Sequence, residues 1–209
     1  MVRPRFAKLP SAQQQAILSA ALEEFAAHGF HDASLNRVID AAGISKGSMY
    51  YYFDSKEDLY THVTRVELEH LFDAVGPISI PTGTEPDAFW STLEDYYLRL
   101  MIALTDSPQL AALIRGWLAA SSSALQLAQQ ELEQSAMPWL ESALVAGQRV
   151  GAVRADLPSG LLIAVVVGMG QAMDTWLMTQ PPDPDDLPKL IGALIEMIRG
   201  AVKPKAQAH

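Results

Sequence analysis

Apolar side chains recur at three- and four-residue spacings along almost the whole chain, and serine, proline and glycine mark where each run starts and stops. That is the period of amphipathic helices, and it predicts an all-α protein of about nine helices. Ser11 and Gln14 form an S-x-x-Q capping box opening a helix that turns Ile17, Leu18, Ala21, Leu22 and Phe25 inward, with Gly29 closing it. Ser34 and Ser45 are placed to cap two short helices. Ser55 with Asp58 caps a long fourth helix through Leu59, Val63 and Val66. Gly76 to Pro86 is a Gly/Pro-rich linker. Beyond it the pattern predicts a helix over 87–103, another starting at Ser107-Pro108, and a long segment over 122–150 that Pro138 kinks or splits. Two last helices are expected over 158–179 and 185–201, separated by PPDPDD.

The segment 34–59, SLNRVIDAAGISKGSMYYYFDSKEDL, carries the most chemistry. Leu35, Val38, Ile39 and Ala42 make one apolar helical face; Gly43 supplies the left-handed backbone for a tight turn, and Ser45 starts the next helix. In that helix Met49, Tyr52 and Phe53 share the inner face. Lys46, Gly47, Ser48, Tyr50 and Tyr51 are left pointing outward. A short helix presenting a lysine, small residues and phenolic hydroxyls to solvent is suited to the groove and phosphates of DNA.

Charge qualifies that reading. The 209 residues carry a formal net charge of −9, whereas nucleic-acid binders usually show a basic footprint. Residues 1–60 hold 6 Lys/Arg against 7 Asp/Glu, and the remainder 9 against 17, so most of the acidity lies outside the first domain. Arg3, Arg5 and Lys8 add a basic arm expected to be flexible. Binding to DNA should therefore weaken steeply with salt and depend on dimerisation. Half the residues are hydrophobic (49%), enough for a sizeable core, and there is no cysteine, which excludes disulfides and thiolate metal sites and fits a reducing cytoplasm. The start, MVRPRFAKLP, lacks the apolar stretch of a signal peptide. The best apolar run, 161–170, is cut by Gln171 and Asp174, so no membrane-spanning helix and no membrane partner are expected.

FAAHGFHDASLNRVIDAAGISKGSMYYYFDSKEDLY resembles the N-terminal domain of TetR-family transcriptional regulators through Phe25, Gly29 and Phe30, then Ala42-Gly43-Ile44-Ser45-Lys46-Gly47, Tyr50-x-Tyr52-Phe53 and Ser55-Lys56-Glu57. The close likeness covers roughly residues 11–60. It implies a helix-turn-helix DNA-binding domain (1–60), a connecting helix (61–76) and a helical ligand-binding and dimerisation domain (77–209). Carried over by position, Lys46 and Gly47 meet phosphate together with the Ser45 cap, and Ser48 and Tyr51 face base edges. Tyr50, Tyr52 and Lys56 are placed as phosphate contacts, and Ser34 touches phosphate while capping its helix. Arg37 stands where the family has a more acidic turn, and it is read as an added backbone contact.

The second half holds Trp90, Tyr97, Met101, Trp117, Trp139, Met169, Met173, Asp174 and Trp176. Ordinary core accounts for any one of the apolar members; as a set they fit a pocket for an apolar or aromatic molecule. Asp174 needs a partner in so apolar a helix, Arg99 or Arg115 by preference, or else a cationic group of a ligand. Small residues Ala164, Gly168 and Ala172 recur at four-residue spacing, and Leu187, Leu190, Ile191, Leu194 and Ile198 stripe the last helix. Either set completes the monomer core or pairs with its copy in a homodimer; the residues alone leave both open.

Other chemistries are weaker. Gly43-Ile44-Ser45-Lys46-Gly47 satisfies G-x-S-x-G, but a nucleophile elbow needs a strand before the serine and the pattern here is helical. Gly168-Met169-Gly170 lacks the third glycine of a dinucleotide loop. His28, His31, His62, His70 and His209 include no pair at metal-binding spacing, and Glu23-Glu24 and Glu57-Asp58 are sequence neighbours that point to different faces. No enzyme, metal or cofactor is expected. The sequence thus predicts a ligand-responsive regulator, a repressor binding a palindromic operator as a dimer; a helical binding protein with an inactive DNA-binding domain is the alternative.

Overall fold

The computed structural model describes residues 3–79, 85–120 and 122–205. Among these there is no strand. A short 3-10 turn, Phe6–Lys8, precedes nine helices: α1 (Ser11–Asp32), α2 (Leu35–Ala41), α3 (Lys46–Tyr52), α4 (Lys56–Val75), α5 (Pro86–Thr105), α6 (Pro108–Leu118), α7 (Ser123–Arg149), α8 (Ser159–Thr179) and α9 (Leu187–Val202). Part of the predicted linker, residues 80–84, and His209 lie outside the described residues. The helices form two compact units that are not contiguous in sequence: residues 1–74 with 104–130, and residues 75–103 with 131–209. The N-terminal unit therefore includes α6 and the first turns of α7, which the linear division at 60 and 76 placed in the second domain.

In the N-terminal unit α1 buries Ile17, Ala20, Ala21 and Phe25, and Gly29 (φ 67°, ψ 175°) interrupts the helix before its last turn. The expected capping box does not form at Ser11. Pro10 holds the cap position without a side-chain bond, and Gln14 Nε2 donates instead to the Leu9 carbonyl at 2.8 Å. Only the first half of the box at Ser55 forms: Asp58 N–H donates to Ser55 Oγ at 3.2 Å, while Asp58 Oδ2 accepts from the N–H of Asp54, one residue before the cap, at 3.1 Å. Tyr60, fully buried on α4, donates its hydroxyl to the Leu113 carbonyl on α6 at 2.9 Å. Its ring is surrounded by Phe25, Phe30 and Trp117.

The second unit is built from α5, most of α7, α8 and α9. Pro138 does not split α7, which is one helix over Ser123–Arg149. The residues after it turn through Gly151, and the Arg154 N–H donates to the Val202 carbonyl at the end of α9 at 2.8 Å. On α9 the predicted stripe resolves into core: Leu187, Ile191 and Ile198 are buried within the unit and Leu194 is half-buried. The dimer assignment of Leu187, Ile191 and Ile198 is thereby corrected, because their side chains already have intramolecular neighbours. Ala164, Gly168 and Ala172 on α8 are exposed, in company with Leu161, Val165 and Trp176. The expectation about α8 also changes. The 21-residue helix is long and apolar enough, by length and composition, to cross a membrane, since Gln171 and Asp174 are too few to offset the rest; core helices of globular proteins pass the same measure.

Candidate nucleic-acid interface and effector cavity

The turn between α2 and α3 is set by Gly43, whose φ of 65° side chains rarely adopt. The Ile44 N–H then reaches back to the Ile39 carbonyl at 3.1 Å. Ser45 caps α3 by accepting the Ser48 N–H on Oγ at 3.0 Å, and the two hydroxyls lie 2.8 Å apart. Ser45→Ala should cost about 1 kcal/mol, and in a helix of seven residues it should be read as faster hydrogen exchange at the Ser48 amide. Met49 and Phe53 are buried beneath α3. Lys46, Gly47, Tyr50 and Tyr51 are exposed, the tyrosines at 46% and 48%; Ser48 is half-buried.

The basic arm is folded onto this face, where a flexible arm was expected. Phe6 is buried against Tyr52, Phe53 and His62. The Arg3 N–H donates to the Tyr52 carbonyl at 3.0 Å, and the Arg3 guanidinium pairs with Asp54. That brings the Arg5 guanidinium over the Tyr51 ring, 4.4 Å from its centroid, and adds a cation beside the exposed face of α3. Tyr52 is half-buried and edge-on to Phe6. A lone phenylalanine in a short segment has no periodicity to reveal it, so sequence reasoning missed this anchor.

Two predicted phosphate contacts, Arg37 and Lys56, have other partners, and the N–H of a third, Ser34, is taken by Glu24. Arg37 is bound through Nε and Nη2 to Glu24, with Nε 2.9 Å from both carboxylate oxygens, and Nη2 also donates to the Asp32 carbonyl at 3.0 Å. It braces α1 against α2, which corrects its assignment as a backbone contact. Glu24 is 8% exposed and also accepts the Ser34 N–H at 2.7 Å. The Arg37 bond, opposed by burial and aided by the Ser34 N–H, holds its carboxyl below the ordinary value. Ser34 occupies the cap position of α2 without a side-chain cap bond. Lys56 donates to the His31 and Ala33 carbonyls at 2.9 and 3.2 Å and lies over the Phe30 ring, closing the α1–α2 connection. Glu24 was legible in principle, since it falls seven residues after Ile17 and four after Ala20, on the inward face.

The second unit contains a cavity of about 260 Å3. Trp90, Leu93 and Tyr97 from α5, Trp139 and Leu140 from α7, Leu162 and Val166 from α8, and Ile195 and Ile198 from α9 are among its walls, and among the described residues no charged side chain lines it. Of the predicted pocket residues, Trp90, Tyr97 and Trp139 line this space. Met101 and Met173 are buried, and Met169 half-buried, without lining it: Tyr97 is the last lining residue on α5, and on α8 the lining residues stop at Val166. Trp117 is in the other unit against Tyr60. Asp174 is reached by neither Arg99, which binds Asp95 and the Val75 carbonyl, nor Arg115; its partner is the Tyr97 hydroxyl, 2.6 Å from Oδ1. Burial raises the Asp174 carboxyl and the Tyr97 hydroxyl above their ordinary pKa values.

Residues 17–63 match the family model for bacterial regulatory proteins of the tetR family. The transcriptional regulator RutR of Escherichia coli (strain K12) is 49% identical over 59 residues, which is 28% of this chain and 28% of that protein. That match spans less than a third of the relative's length. Over nearly the whole chain the fold is that of the fatty acid degradation regulator FadR from Bacillus halodurans (TM-score 0.70, 22% identity, covering 90% of this chain and 99% of that one). FadR from Bacillus subtilis in complex with stearoyl-CoA is similar at TM-score 0.67 and 21% identity, over 90% and 98% of the two chains. The relatives are transcriptional regulators and not enzymes. Residues 17–63 thus form a helix-turn-helix domain similar to that of tetR-family regulators, and along nearly the whole chain the all-α fold is similar to that of the two FadR structures.

Proposed function

We propose that the chain is a ligand-responsive repressor of the cytoplasm that binds a palindromic operator as a homodimer and is released by a small apolar or aromatic effector. The observation that carries the reading is the α3 face: Lys46, Gly47, Tyr50 and Tyr51 exposed on a rigidly capped helix, with Arg5 held beside them. Such a face is suited to the major groove, with the lysine and arginine on phosphates and Tyr51 and Ser48 towards base edges. The exposed α8 stripe of Ala164, Gly168 and Ala172 allows close helix approach, and Leu161, Val165 and Trp176 give it apolar area to bury against a second copy. The apolar cavity supports an effector, and the stearoyl-CoA bound to the B. subtilis neighbour supports a small molecule as the signal. An effector releases DNA if it prefers a dimer spacing that no longer fits two half-sites; α4, running from the DNA-binding helices, is the lever.

The test is selection from a randomised DNA pool followed by anisotropy titration at several salt concentrations. A palindromic site should emerge, with affinity falling as salt rises. Lys46→Ala with Tyr51→Ala should weaken binding by about a hundredfold or more and flatten the salt slope, with the unfolding midpoint unchanged. Unchanged affinity in the double variant would remove α3 as the recognition helix. Failure to enrich any sequence, with dimerisation intact, would favour a helical binding protein whose DNA-binding domain is inactive.

A further inference from the structure

Every described residue that lines the cavity of the second unit is aliphatic or aromatic. The polar side-chain atoms in that wall are the hydroxyls of Tyr96 and Tyr97 and the indole N–H groups of Trp90 and Trp139. The Tyr97 hydroxyl is already committed to Asp174 Oδ1 at 2.6 Å, and Trp139 is 42% exposed and can meet water. What the wall can offer a ligand is therefore a neutral donor at most. One side of the cavity is also held shut by close packing. A Cβ at Gly147 of α7 would stand 2.7 Å from Val153 and 2.8 Å from Phe89, both of them wall residues. Phe89 is buried, so that side cannot give way to a longer molecule without unpacking α5 from α7.

An ion entering such a space gives up its hydration and finds no opposite charge in return. A neutral molecule gives up little and gains contact with the rings of Phe89, Trp90 and Trp139. Volume then limits size. A dry apolar cavity of about 150 Å3 takes benzene, or roughly 25 Å3 per carbon. On that scale the 260 Å3 found here holds roughly ten non-hydrogen atoms, whereas an eighteen-carbon acyl chain needs roughly 450 Å3. Resting on the reading of this cavity as the effector site, we infer that the effector is an uncharged molecule of about ten non-hydrogen atoms, in the size class of an alkylbenzene or a monoterpene. A single carbonyl or ether oxygen is compatible with the wall, because Trp90 and Tyr96 are donors. A fatty acid, an acyl thioester of coenzyme A or a protonated amine is not.

The experiment is calorimetric titration of the full chain with cumene, acetophenone, benzoate and 1-phenylethylamine, which match in size and differ in charge, and with stearoyl-CoA. Cumene and acetophenone should bind, each about tenfold or more tighter than benzoate or the amine, and stearoyl-CoA should not bind. Ala143→Phe, which puts a ring into the space from the α7 wall, should weaken both neutral ligands about tenfold or more. The ratios in the unaltered chain decide the question of charge whether or not that variant folds. Benzoate or the amine binding as tightly as acetophenone, or tight binding of stearoyl-CoA, overturns the inference while leaving the cavity an effector site. Neutral ligands that bind a folded Ala143→Phe unchanged lie elsewhere, which overturns it as well. If none of the five binds, the cavity is not an effector site, and the broader reading fails with it.

Discussion

Glu24→Ala is expected to destabilise the N-terminal unit by about 2–4 kcal/mol, seen as a lower urea midpoint with an unchanged slope. Glu24 is 8% exposed and gathers three donors: Arg37 Nε, Arg37 Nη2 and the Ser34 N–H. Truncation orphans that amide at the start of α2 and leaves Arg37 with only the Asp32 carbonyl. The Arg37 side chain is 52% exposed and can rehydrate, which keeps the loss below that for a wholly buried pair. Glu24→Gln, which retains an acceptor for Ser34, should lose about half as much.

The same contact makes stability depend on pH. The folded-state carboxyl of Glu24 titrates below its unfolded value because Arg37 and Ser34 favour the charged form. The unfolded chain therefore binds more protons in acid. The stabilisation is complete above the unfolded glutamate value of about 4.3 and is lost as pH falls through the folded one. The difference between wild type and Glu24→Gln should be flat at neutral pH and shrink below about pH 4. Arg37→Ala should reproduce the loss of stability and leave the salt slope of DNA binding unaltered. A reduced slope in that variant would restore Arg37 to the phosphate contacts.

The exposed face of α3 was legible because its signals are local. Gly43 ends one helix, Ser45 caps the next, and a seven-residue helix over a buried Met49 has only one way to present Lys46 and Tyr51. What eluded the sequence depends on contacts between distant segments. Periodicity marks Leu187, Ile191 and Ile198 as one face, but a face that closes the core of its own chain and one that meets a copy have the same spacing. It likewise puts Trp90 and Tyr97 inward without saying whether the space they face is filled. Trp117 was grouped with them by composition, yet it belongs with Tyr60, 57 positions earlier in the chain. Arg37 and Lys56 look like free cations until their partners, Glu24 and the His31 and Ala33 carbonyls, are brought beside them.

Gly116→Ala is expected to destabilise by about 2–4 kcal/mol, against the rule that alanine is the better helix former. A Cβ built at Gly116 lies 2.7 Å from the Tyr60 hydroxyl oxygen and 3.8 Å from the ring carbon that bears it. Tyr60 is 1% exposed and cannot swing aside: Phe25 and Phe30 stand 4.8 and 5.2 Å from its ring and Trp117 6.2 Å. Relieving the overlap strains the core by about 1–3 kcal/mol and pulls the hydroxyl from the Leu113 carbonyl, at a further 1–3 kcal/mol for the orphaned group. The gain in helix propensity, about 1 kcal/mol, offsets only part of this. Tyr60→Phe alone should cost about 1–2 kcal/mol for the buried carbonyl. With the hydroxyl gone the alanine methyl has room, so Tyr60→Phe with Gly116→Ala should be more stable than the sum of the two losses by at least about 1 kcal/mol. Strict additivity in chemical denaturation would mean that the hydroxyl does not occupy the space over Gly116. Because this contact ties α4 to α6 within one unit, the single alanine variant should also disturb the seating of α4, whose first turn holds Lys56 against the α1–α2 connection, whereas the double variant should leave that seating intact.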